Sequence, residues 1–176
     1  MEIIGNSIKG IYRDILKGAD DNIIYDSGWR SNTIVYRCRM LLAGFMKNDP
    51  SSGIQSMAVG QGLKVWDDTG VLEPDPATTT DLVNGYSPPI PVSELDMAYL
   101  DEDDSEVTGA TNRLQITATL EPGYPAPVSP LTTYPLREFG LFGRFNGTDY
   151  MINSIRHPVI HKDESATLIR VIRLYF

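Results

Sequence analysis

Two histidines, His157 and His161, stand four residues apart, the spacing at which a helix presents two metal ligands on one face. Pro158 lies between them and the segment reads as extended, so that helical face does not form. In a strand the same spacing predicts both side chains on one side, roughly 13 Å apart along it, too far to share one ion. The run Asp101-Glu102-Asp103-Asp104 offers oxygen ligands for a hard cation. It lacks the alternating ligand spacing and fixed glycine of a calcium loop, and reads as a solvated, mobile acidic loop. Gly60-Gln61-Gly62 is followed by neither the Lys-Ser/Thr pair nor the helix of a phosphate loop, and reads as a turn. Cys38 is the single cysteine, which excludes an internal disulfide and a cysteine metal cage. It falls on an apolar stripe, where it serves as a small buried hydrophobe. No serine has a Gly-x-Ser-x-Gly setting, and nothing suggests a dry pocket to shift the carboxylates of the acidic run. Asn146-Gly147-Thr148 fits a glycosylation acceptor but is better read as a turn. The residue types point to no enzyme, no metal and no cofactor.

Chemistry of any kind would need elements to position it. The stretch Arg137–Ile155 is the one around which the rest should pack. Aromatic and aliphatic residues flank Asn146-Gly147, the pair that reaches the positive φ of a tight hairpin turn at least cost. Ala166–Phe176 predicts one more strand beside this hairpin, which would make the last forty residues a small antiparallel sheet. Near the start, Gly10–Leu16 and Ile23–Tyr25 flank a Gly/Asp/Asn turn, a second hairpin. A single amphipathic helix spans about Thr33–Lys47, with Ile34, Val35, Cys38, Leu41, Leu42, Phe45 and Met46 forming its stripe. Ser31 or Asn32 would cap it, and Asn48-Asp49-Pro50 would stop it. Ile54–Gly60 and Asn112–Leu120 read as strands, the latter by strict alternation. Residues 73–106 form a proline-rich, then acidic, surface excursion, with a short helix expected near Thr80–Asn84. The expectation is a mainly β (α+β) fold: an antiparallel β-sandwich-like sheet, one helix and long Pro-rich loops. Its organisation is an N-terminal arm and hairpin over 1–30 and a single β-rich domain over 31–176.

The chain has 176 residues and a formal charge of −8, the opposite of what a nucleic-acid surface requires. No apolar run approaches the roughly 20 residues that cross a bilayer, so no membrane insertion is expected.

Four pieces stand in order: Asn32-Thr33-Ile34-Val35, Met57-Ala58-Val59-Gly60, Glu138-Phe139-Gly140-Leu141-Phe142, and Lys162-Asp163-Glu164 before Leu168–Phe176. This succession resembles a group of bacteriophage tail-appendage proteins, of tail fibres and baseplates, whose relatives include contractile injection systems. The resemblance covers roughly residues 30–176. It implies a structural protein made in the bacterial host cytoplasm and incorporated in the virion tail. Its partners would be other tail or baseplate subunits and further copies of itself in a symmetric oligomer. The insertion at 73–106 lies outside the pattern and favours a compact connector, collar or baseplate component.

Residues that would meet neighbouring subunits follow from exposure and charge. Met1, Ile3 and Ile4 form an apolar tip, and Asp101, Glu102, Asp103 and Asp104 form an acidic one. Arg170 and Arg173 have opposite parity in the last strand, so each face carries a cation that a second subunit could pair. The alternative is a receptor- or glycan-binding module of the same kind of particle, with Tyr86, Tyr99 and Tyr124 as stacking platforms in surface loops.

Overall fold

A computed structural model describes residues 8–68, 76–126 and 133–176. Strands β1 (Lys9–Lys17), β2 (Ile23–Asp26), β3 (Arg30–Ser31) and β4 (Thr33–Ile34) precede helix α1 (Tyr36–Met46). There follow β5 (Ser51–Gly60), β6 (Ile90–Pro91), β7 (Leu95–Leu100), β8 (Glu106–Val107) and β9 (Arg113–Leu120), then β10 (Thr133–Phe145), β11 (Thr148–Met151), β12 (Asn153–Asp163) and β13 (Thr167–Tyr175). The fold is mainly β and sandwich-like, its antiparallel sheets curling into a half-barrel. Among the described residues one sheet has seven strands, in the order β2-β1-β13-β9-β7-β8 with β3 beside β1. The other has six, in the order β4-β12-β10-β5-β6 with β11 beside β10.

Alternation in β1, β9 and β13 sends Leu16, Ile116, Ala118, Leu120, Leu168, Ile172 and Leu174 inward. They meet Met57, Val59, Leu136, Phe139, Leu141, Ile155 and Ile160 of the facing sheet in one core. The stretch expected to organise the chain does so, because β10 is covered on both faces. Its inner side packs in that core, while Phe142 on its outer side meets Val35 and Met151 under Ala58 and Leu82.

The hairpin turn is as expected: Asn146 and Gly147 have φ of 49° and 79°, and Phe145 pairs with Thr148. A Cβ added at Gly147 would meet nothing within 4 Å, so Gly147→Val tests the backbone alone. A branched residue held at positive φ should cost about 1–2 kcal/mol in urea unfolding. An unchanged midpoint would show that this turn tolerates any residue.

Several expectations are corrected. The last strand does not lie beside this hairpin: β13 pairs with β1 and β9 in the opposite sheet. Both edges of β10 are already taken, by β5 on one side and by β11 and β12 on the other, so no vacancy remains there. The hairpin expected within residues 1–30 forms as β1 and β2, with β1 an inner strand of the larger sheet, while residues 1–7 of the expected arm lie outside the described residues. The helix starts at Tyr36 rather than Thr33. Thr33 and Ile34 pair with Ser154 and Asn153, and the Val35 N–H donates to the Ile152 carbonyl. Three β-branched residues in a row favour that extended entry over a first helical turn. The N-cap is Val35, with no side-chain cap, so neither Ser31 nor Asn32 plays that part. The buried helix face is Cys38, Leu41 and Gly44, whereas Leu42, Phe45 and Met46 are exposed. The excursion over 73–106 contains a strand, β7, and the segment near Thr80–Asn84 is not helical.

Candidate functional site

The most concentrated polar chemistry is sealed between the sheets. Asp14 of β1 and Arg170 of β13 are register partners on neighbouring strands, and both side chains are essentially inaccessible. Arg170 Nε donates to Asp14 Oδ1 at 2.6 Å and Nη2 to Oδ2 at 2.9 Å, the bidentate geometry that best offsets desolvation. Nη2 also donates to His157 Nε2, at 3.0 Å, from the facing sheet. That bond makes Nε2 the acceptor, so Nδ1 carries the proton and donates to the Pro158 carbonyl at 2.8 Å. The guanidinium lies 3.5 Å over the Phe139 ring, which in turn meets Tyr12 edge-on at 5.4 Å. Burial, and then the nearby Arg170 cation, push the His157 imidazole down to about 4. Burial, and next the Asp14 charge, push the Tyr12 phenol up to about 12. The cation thus bridges a carboxylate and a neutral imidazole, and all three side chains are buried. Its role is to lock the two sheets in one relative position.

Arg170 was expected at a subunit contact, and its burial removes it from that role. Arg173, on the other face, is also paired within the chain. Nε donates to its cross-strand neighbour Gln115 at 2.9 Å, Nη1 to Asp104 at 3.0 Å, and the group lies 4.4 Å over the Trp29 ring. The opposite parity of the two arginines is thus resolved by one inner and one outer set of partners in the same protomer. A signal for the inner set was present. Asp14 shares parity with Tyr12 and Leu16, and Arg170 with Leu168 and Ile172, so opposite charges occupy core-facing positions of two strands.

The acidic run is a built turn between β7 and β8. Asp101 Oδ1 accepts from the N–H groups of Asp103 and Ser105, both at 2.9 Å, and Asp104 has φ of 61°. Arg113 Nη1 donates to the carbonyls of Asp101 and Glu102 at 3.0 and 2.8 Å. Two of the four acids are therefore structural, and only Glu102 and Asp103 project freely into solvent. Met1, Ile3 and Ile4 lie outside the described residues. Among the described residues no group of three or more His, Cys, Asp or Glu could hold a metal ion. His157 is buried while His161 is exposed, although four residues in a regular strand would share a face. The cause is a bulge: β12 runs from Arg156 to Ile160 while β10 runs only from Glu138 to Leu136. Cys38 is buried, and burial raises its thiol to about 11, which keeps it protonated.

The three aromatic platforms are not brought together as one stacking surface. Tyr86 is half-buried and donates to the Pro135 carbonyl at 3.3 Å; Tyr124 is half-buried and donates to the Pro88 carbonyl at 3.0 Å. Only Tyr99, on β7, has an exposed ring. Tyr86 does line a polar groove of about 420 Å³ on the outer face of the six-stranded sheet, with Arg37, Ser56, Asp81 and Asp149. The loop that walls it is held by Glu138, whose carboxylate accepts from the Val83 and Asn84 N–H groups at 2.9 and 2.6 Å.

Exposed apolar side chains mark another surface. Tyr36, Met40, Leu42, Phe45 and Met46 of α1 face solvent, as do Met97 and Phe176. Such a grouping is the usual mark of a contact surface rather than of a solvated one. Neither a family model, a curated protein nor a solved structure matches this chain.

Proposed function

We propose that this chain is a structural subunit of a phage-like tail, a baseplate, collar or fibre-connector component that assembles with other tail subunits and with copies of itself. The observation that carries the reading is where the four motif segments fall. Met57–Gly60 of β5 is in register with Glu138–Leu141 of β10, residue for residue. Thr33-Ile34 forms β4 on β12 of the same sheet, and Lys162 of β12 pairs with Tyr134 of β10. Three of the four pieces, and Lys162-Asp163 of the fourth, thus belong to one sheet, while the closing strand Leu168–Phe176 lies in the sheet that faces it. The sealed polar centre argues for rigidity, and the exposed apolar residues of α1 argue for partners. The test is to purify particles from producing cells and quantify this chain against tube and sheath proteins by mass spectrometry. A fixed ratio through gradient purification is expected. Recovery only in the unassembled fraction would overturn the proposal. The polar groove with Arg37, Tyr86 and Asp149 favours a second reading, a glycan- or receptor-binding module, and a glycan array separates the two.

A further inference from the structure

We infer that the β7 edge is a docking site for an extended segment of another protein, apolar at alternate positions and bearing Lys or Arg between them. The inference deepens the assembly reading and rests on it. Leu95 and Met97 share a face of β7, yet Leu95 is in the core and Met97 is 40% exposed. The sandwich is therefore open at this edge. Leu42, Gly53, Ile54, Met97, Leu114 and Phe176 line an almost wholly apolar groove of about 180 Å³ there. Both strands that border it leave backbone unpaired. On its outer side β7 meets β8 only at Tyr99 and Leu100, and β5 meets β6 only at Ser56 and Met57, among the described residues. Free ladder groups beside an apolar slot suit an added strand, whose main chain would pair while alternate side chains fill the slot.

Charge selects the occupant. Glu94, Asp96, Glu102, Asp103 and Glu106 are exposed along this rim, and none has an ion pair among the described residues. A second copy paired antiparallel about Met97 would bring Glu94 of each chain beside the Asp101–Asp104 turn of the other. Like charges would meet at both ends, which disfavours self-pairing. A cationic strand gains at the same positions.

The experiment uses the full chain and two labelled ten-residue peptides, one alternating valine with lysine or threonine, the other with glutamate in place of lysine. Anisotropy should show at least about tenfold tighter binding of the cationic peptide. Amide exchange over residues 95–98 should slow by a similar factor when it binds. Met97→Glu, at an exposed position, should weaken binding about tenfold because it blocks the slot. Mere surface attraction would instead tighten on adding that charge, and such tightening, or no change, would overturn the inference. Absence of new protection at 95–98 would do the same. So would protection already present in the free chain, whether lost on deleting residues 1–7 or accompanied by a dimer in light scattering. Peptide binding that persists while particles lack the chain would remove the tail reading alone, and the reverse result would remove this docking site alone.

Discussion

Replacing Asp14 by Ala is expected to destabilise the protein by about 3–5 kcal/mol, measured as urea unfolding at neutral pH. The loss comes less from the missing bonds than from the charge left behind. Arg170 would keep a desolvated guanidinium with only His157 and the Phe139 face beside it. Its Nη1 already lacks a hydrogen-bond partner among the described residues, so the site has little reserve. Removing both charges should be far milder. Asp14→Leu with Arg170→Met exchanges a buried ion pair for apolar groups, a change that is often neutral or stabilising. The double variant is therefore expected to recover most of the stability lost in Asp14→Ala. If Asp14→Ala costs less than about 1 kcal/mol, the pair is not sealed from water as described. If the double variant is as unstable as the single, the pair contributes through its specific geometry rather than through compensation of charge.

A second large effect is expected from acid. The folded state holds His157 neutral until about pH 4, whereas an unfolded histidine titrates at its ordinary 6.5. Between these values the unfolded state binds the extra proton, so stability falls as pH falls. The slope is about 1.4 kcal/mol per pH unit, a loss of about 3 kcal/mol by pH 4. Above pH 6.5 the imidazole is neutral in both states and contributes no slope. Depressed carboxylates act in a lower window. Asp26, held down to about 2 by Arg13 and the Gly28 N–H, loses its contribution only below its ordinary 3.8. Urea midpoints at pH 7 and pH 4.5 should thus fall steeply for the parent and much less for His157→Asn. Equal acid sensitivity in the two proteins would place the titrating group elsewhere.

How much of this could be read beforehand depended on whether a feature was local. The Asn146-Gly147 turn, the β1–β2 hairpin and the alternation of β9 were legible, since each rests on φ preferences or period-two burial within a few residues. The helix existed where its stripe suggested, but its first turn was lost to β4. A strand partner offered by Asn153 and Ser154 outweighed the weak helix preference of Thr33, Ile34 and Val35. Strand β7 was concealed by the acidic residues around it, although Leu95, Met97 and Tyr99 keep one parity. Its turn is held by Arg113 and Arg173, far enough along the chain that no local pattern announces them.

By itself the sequence determined that the protein is mainly β, that Arg137–Ile155 is central, and that Asn146-Gly147 makes a tight turn. Only the tertiary structure decided which sheet each strand joined. Pairing is a competition for a limited number of edges, and β13 went to β1 and β9 because β10 had none left. It likewise decided that Arg170 is an internal ion pair rather than a subunit contact. A charge's partner is set by which strands become neighbours, and Asp14 lies 156 residues away from it along the chain.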